Sequence, residues 1–192
     1  DLQGAHLLNA NLESANLHGA NLMGSVLQGA NLEGAILQGA NLQGTNLLSA
    51  NLWEAKLNGA NLGRAKLEGA NLGKADLEGT NLERVILQGA NLQGANLKRA
   101  NLNEANLVGA HLVQADLEKA NLTKANLTKA NLEGVSLVGA DLIGANLIGA
   151  DLKDTNLENA NLSGTNFESA NLENTNLSGT NFGRANLQSA NL

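Results

Sequence analysis

The stretch Ala10-Asn11-Leu12-Glu13-Ser14 is one turn of a pattern that fills the chain: small residue, amide, leucine, two variable residues. Extended in both directions from Leu12, every fifth position from Leu2 to Leu192 is Leu or Phe, 37 Leu with Phe167 and Phe182 in 39 slots. No insertion breaks the register. The slot two before each Leu is Ala in 29 of 38 cases, and the nine exceptions (Ser25, Thr45, Thr80, Val85, Val135, Thr155, Thr165, Thr175, Thr180) are all small. Asn fills 26 and Asp 5 of the 39 slots just before the apolar residue. Self-similarity at a fixed period decides the architecture before any other signal.

A period of five excludes the ordinary elements. On an α-helix, residues five apart are rotated by about 140°, so the leucines would wind around the surface and form no stripe. On a flat strand the side-chain period is two, and successive leucines would alternate between faces. A chain that turns a corner once per pentad keeps Ala and Leu on one side each time. The expected fold is an all-β solenoid with one pentad per side.

Charges indicate how many sides the coil has, because residues on adjacent coils lie about 4.8 Å apart and opposite charges are favoured there. At a separation of 20, eight charged pairs are opposite in sign (Glu54/Lys74, Lys56/Asp76, Glu78/Lys98, Lys98/Glu118, Arg84/Glu104, Glu104/Lys124, Glu133/Lys153, Lys153/Glu173) and three alike. At 15 the count is three against four and at 25 two against four. Four pentads, 20 residues, therefore make one coil. The 192 residues give about 9.6 coils, a rod of roughly 46 Å. Arg84, Glu104 and Lys124 are expected in one vertical ion ladder, and Glu78, Lys98 and Glu118 in another.

The Ala-(Asn/Asp)-Leu-x-x array resembles the pentapeptide-repeat family over its whole length. The resemblance implies a right-handed quadrilateral β-helix with Ala and Leu inward and the other three slots outward. Some relatives resemble duplex DNA in shape and charge and bind type II topoisomerases; others are effectors, and cyanobacteria are rich in them. An uninterrupted array of this length is also similar to the C-terminal repeat domain of a multi-span membrane protein implicated in placing heterocyst glycolipids.

Composition agrees with a thin apolar core under a polar skin. Hydrophobic residues are 43% but aromatic ones only 2%, since a coil stacking Leu and Ala every ~4.8 Å has little room for rings. Gly in the slot before Ala suits a corner that needs positive φ, and the Asn beside Leu can support that corner through its side chain. There is no Cys, hence neither disulfide nor thiolate site, and no Pro to interrupt the ladder. No apolar run approaches the ~20 residues of a membrane helix. Residues 1–192 are expected to form one domain, excised from a longer protein, that is soluble and does not itself insert into a membrane. Its compartment would be cytoplasm or periplasm, with a membrane-anchored parent.

Geometry argues against catalysis. On the 20-residue register His6 and His18 fall on opposite faces of the first coil and His111 lies five coils away, while no Ser has His and Asp stacked beside it. No catalytic, cofactor or metal residues are assigned, and no cofactor is expected. The net charge of −6 is uneven: residues 1–55 carry −4, 56–130 carry +3 and 131–192 carry −5. A DNA mimic should be negative along its length, and the basic residues of the middle are dispersed among acids, so nucleic acid is not an expected partner.

Outward aliphatic residues give the best hint of a protein partner. Val108, Val113, Val138, Ile143 and Ile148 occupy outer slots in coils six to eight, with Val108 and Ile148 on one face that also carries Leu8 and Leu48. Trp53 points outward without an assigned role. Phe167 and Phe182, near four of the six inward Thr, are expected to mark a local change in packing. The sequence therefore points to a non-catalytic scaffold that contacts an unknown protein or its own flanking domains, in a larger protein of heterocyst glycolipid placement. The alternative is a DNA-mimicking binder or inhibitor of a type II topoisomerase.

Overall fold

The computed structural model describes residues 1–192 as one uninterrupted four-sided coil. Parallel bridges join each residue of the Asn column to the one 20 positions on, from His6 with Val26 to Asn171 with Asn191 without a gap. The 20-residue coil expected from the charges is therefore the observed one.

One interior pentad shows why the sequence folds this way. Leu92 N–H donates to the His111 carbonyl on the next coil at 2.7 Å, and Gly94 N–H to the Val113 carbonyl at 3.0 Å. Asn91 N–H donates in the other direction, to the Ala70 carbonyl at 2.9 Å. Ala95 N–H closes the corner on the Leu92 carbonyl at 3.0 Å, making Leu92-Gln93-Gly94-Ala95 a β-turn. Gly94, third in that turn, has φ +65°, and all 38 residues in its slot have positive φ, 19 of them not glycine. Positive φ is thus imposed by the coil, and Gly is merely its cheapest occupant.

The Asn column supports the corner as its chemistry allows. Asn91 Oδ1 accepts the N–H of Gln93 at 3.1 Å, an Asx turn that covers a donor the ladder leaves free. Its Nδ2 donates to Asn71 Oδ1 on the preceding coil at 3.0 Å, and Asn71 passes the same bond to Asn51 at 3.0 Å. Such amide ladders along the rod were not expected from sequence.

Inward, Leu and Ala form one continuous core from Leu22 to Leu172, with Leu92 and Ala90 fully buried. A buried Leu contributes roughly 1.5 to 3 kcal/mol, so stability accumulates coil by coil. Inward Thr are tolerated because each Leu carbonyl has a second lone pair. Thr80, Thr155 and Thr165 donate to the carbonyls of Leu57, Leu132 and Leu142 at 2.9, 2.8 and 2.8 Å. Ser25 is the exception, a buried hydroxyl with no partner. Phe167 and Phe182 stack across a corner with ring centroids 6.2 Å apart, tilted by 51°.

Candidate interaction faces

The four faces are numbered by the pentads of the first coil, 1–5, 6–10, 11–15 and 16–20, and each continues every 20 residues. Side chains in the Asn slot and the two turn slots point outward; the rest line the core. The coil surface holds no cavity, and nowhere do three His, Cys, Asp or Glu side chains come close enough to hold a metal ion. His6, His18 and His111 lie on the second, fourth and third faces.

Sorted by face, the charges separate. The third face carries seven acids and only Lys74 and Lys153 as bases, net −5 of the chain's −6. The first face has four of each sign and the fourth five acids against four bases. Only four charged residues occupy the second face: Lys66, Glu68, Lys129 and Glu168.

Ion pairs follow the columns in part. Arg84 Nε meets Glu104 Oε2 at 2.8 Å, Lys74 meets Glu54 at 3.6 Å, Lys98 meets Glu118 at 3.7 Å and Lys153 meets Glu173 at 4.0 Å. The two expected ladders are incomplete. Lys124 shares the Arg84 column without closing to ion-pair distance of Glu104, and Glu78 turns to Arg99 at 3.8 Å instead of Lys98. Lys98 is drawn sideways to Asp116 at 3.0 Å, the shorter of its two contacts. These pairs are exposed, where solvent and salt screen them and each adds little to stability. The Arg84 hydrogen bond and charge hold the Glu104 carboxyl below the usual glutamate range, and the Lys119 contact does the same for Glu118. None of the four charged residues on the second face forms an ion pair within the chain.

Outward apolar residues have the opposite distribution. Of the five sequence candidates, Val108 and Ile148 lie on the second face, Val113 on the third, Val138 on the fourth and Ile143 on the first. Only Ile143 is exposed; the other four are half-buried among their column neighbours. The structure brings Val108 and Ile148 together on one face, separated by Thr128, whose hydroxyl is turned to Asn126 Oδ1 at 2.6 Å. The same face carries Leu8, Leu48, Val26 and Ile86, six of the twelve outward apolar residues. Val26 and Ile86 sit in the Asn column, where attention to the variable slots alone misses them; sorting the Asn-slot departures by face finds them. The second face is therefore the least charged and the most aliphatic.

Trp53 has a local explanation. Its ring lies over Gly73, one coil on, where an added Cβ would come 2.2 Å from Trp53 Cζ3. Lys74 Nζ stands 5.1 Å from the ring centroid, a cation–π contact. A large side chain is thus accommodated by a missing one.

No helix of the structure is long and apolar enough to cross a membrane. Among curated proteins there is no significant match to the chain. Solved structures share its fold. HetL, a pentapeptide repeat protein involved in heterocyst differentiation regulation in the cyanobacterium Nostoc sp. strain PCC 7120, is 37% identical over 97% of this chain and 88% of its own, with a TM-score of 0.72. Trypsin-treated QnrB1, a plasmid-mediated fluoroquinolone resistance protein, is 19% identical over 78% of this chain and 82% of its own, with a TM-score of 0.67, a likeness of fold alone. The coil is the right-handed quadrilateral β-helix of these proteins. The family model described as Pentapeptide repeats (8 copies) matches residues 1–29, 25–64, 60–99, 100–137, 125–164, 136–174 and 165–192. With that match running along the whole rod and HetL 37% identical over most of its length, the chain belongs to the pentapeptide repeat family.

Proposed function

We propose that this chain is a non-catalytic scaffold, a stiff rod that binds proteins along a flat face. One observation carries this reading: the segregation of aliphatic residues onto the second face while charge collects on the other three. Depletion of charge together with aliphatic side chains is the surface chemistry of the desolvated centre of a protein interface. Val108 and Ile148 are the proposed anchors. Val113, Val138 and Ile143, isolated on separate faces, are tolerated surface residues in this reading.

The heterocyst setting is supported by the identity to HetL. Its specific form is heterocyst glycolipid placement, with this rod as the repeat domain of a larger, membrane-anchored protein. DNA mimicry is the weaker reading, because a duplex is acidic all round and three faces of this rod are near neutral.

Bait capture from cells of the source organism tests the scaffold reading when one Arg is placed on each face, at Ile143, Ile148, Val113 or Val138. A partner lost from the Ile148→Arg bait and retained by the other three supports it. Equal capture by all four baits, or strong inhibition of gyrase supercoiling by the purified rod, contradicts it.

A further inference from the structure

The second face has features that fit it to a copy of itself. Its charges are balanced, two of each sign, whereas the third face at −5 would repel its own copy. Its turn column is small for most of its length (Gly29, Ser49, Gly69, Gly89, Gly109, Gly149), so the surface is flat and a second flat surface can approach closely. A quarter of the 7987 Å² accessible surface is about 2,000 Å², well above the ~800 Å² that each partner contributes to a standard interface.

We infer that a second copy of this chain docks on the second face in antiparallel orientation, about a two-fold axis crossing the rod between its fifth and sixth coils. The inference rests on the scaffold reading above and names the occupant of the same face. With that axis the third coil meets the eighth, the fourth the seventh and the fifth the sixth, column against like column. Leu48 then faces the partner's Ile148, and Ile86 lies at the level of the partner's Val108. Glu68 comes level with the partner's Lys129.

Charge selects the orientation. A parallel pair would set Glu68 level with the partner's Glu68 and Lys129 level with the partner's Lys129, so neither would meet an opposite charge. The antiparallel pair sets opposite charges together twice, once at each side of the axis. It also gives intermolecular partners to two groups that have none in the chain. Neither forms an ion pair in the chain, and Glu68 Oε2, buried against the rod without a hydrogen bond, gains one by turning out to the partner's Lys129. The interface is isologous and closed, so association stops at a dimer and leaves the acidic third face free.

Sedimentation equilibrium of the intact 192-residue chain reads the result directly, as 19.8 kDa for a monomer or twice that for the dimer. The expected outcome is a dimer whose dissociation constant rises at least ~30-fold on Ile148→Arg, which sets a charge against the partner's Leu48 at both symmetric contacts. Glu68→Lys and Lys129→Glu should each weaken it about 10-fold, and the double charge swap should restore it. Unchanged thermal unfolding of each variant shows that the rod is intact. A chain monomeric up to about 100 µM, a dimer indifferent to Ile148→Arg, or a double swap that fails to rescue overturns the inference. Capture of a different protein through Ile148 by a monomeric rod also overturns it, while leaving the scaffold reading in place.

Discussion

Arg84 Nε lies 2.8 Å from Glu104 Oε2, twenty residues further along the chain and one coil up the rod. Such contacts are what a 20-residue coil makes of a sequence with no long-range pattern except its period. Glu118 is held in the same manner, first by Lys119 at 3.0 Å and then by Lys98 at 3.7 Å.

Both carboxyls should titrate below the ordinary glutamate value of about 4.3. A group whose folded pKa is depressed contributes stability above its unfolded pKa and loses that contribution as pH falls through the folded one. The Arg84/Glu104 and Lys119/Glu118 contributions should therefore be intact at neutral pH and be lost in acid, as the pH falls past the ordinary glutamate value and through the lowered folded one. Carboxyl carbon NMR titration checks this. Arg84→Ala should move the Glu104 midpoint upward and leave Glu118 where it is.

The inward small-residue column offers a matched pair of substitutions. Ser25 buries a hydroxyl with no partner, so Ser25→Ala should raise stability by about 1 kcal/mol, measured by denaturant unfolding. Thr165 donates to the Leu142 carbonyl at 2.8 Å. Thr165→Ala removes that bond and some packing, and should lower stability by about 1 kcal/mol.

Leu92 is fully buried while its neighbour Gln93 is exposed. Leu92→Asp places an unpaired carboxylate between Leu layers and should cost more than about 4 kcal/mol, whereas Gln93→Asp should stay within about 0.5 kcal/mol. Thermal melts of the two variants compare them directly. Similar melts would refute the inward and outward assignment.

Trp53 is the only tryptophan, which makes its seat on Gly73 easy to observe. Gly73→Leu must displace the ring, since even a Cβ there would come 2.2 Å from it. Fluorescence emission should shift to the red, with little loss of fold stability because both residues lie outside the core.

Period, coil length and the inward and outward slots were legible in the sequence because each follows from residues five or 20 apart. The Asn91–Asn71–Asn51 amide ladder was not, since the Asx turn alone accounts for the residue choice at those slots. Glu78 pairs with Arg99 instead of Lys98 because the two turn columns of a face stand side by side and a long side chain can cross between them, which column counting ignores. Trp53 was opaque because its explanation is an absent side chain 20 residues away. The second face emerged only when Val26 and Ile86 were counted with Leu8, Leu48, Val108 and Ile148. Linear distance puts Val113 and Ile143 closer to Val108 than Ile148 is, and the coil reverses that order.

Every face assignment depends on residues 20 apart being stacked neighbours. The chain has no cysteine, so engineered pairs report that geometry without interference. Stacked coils about 4.8 Å apart put Cα atoms within the range a disulfide needs. Mild oxidation of a Val108→Cys/Thr128→Cys variant should give a complete intramolecular disulfide, while Val108→Cys/Thr123→Cys and Val108→Cys/Glu133→Cys, at spacings of 15 and 25, should give none. Disulfide formation at either of those spacings and not at 20 would contradict the four-sided coil and every face drawn from it.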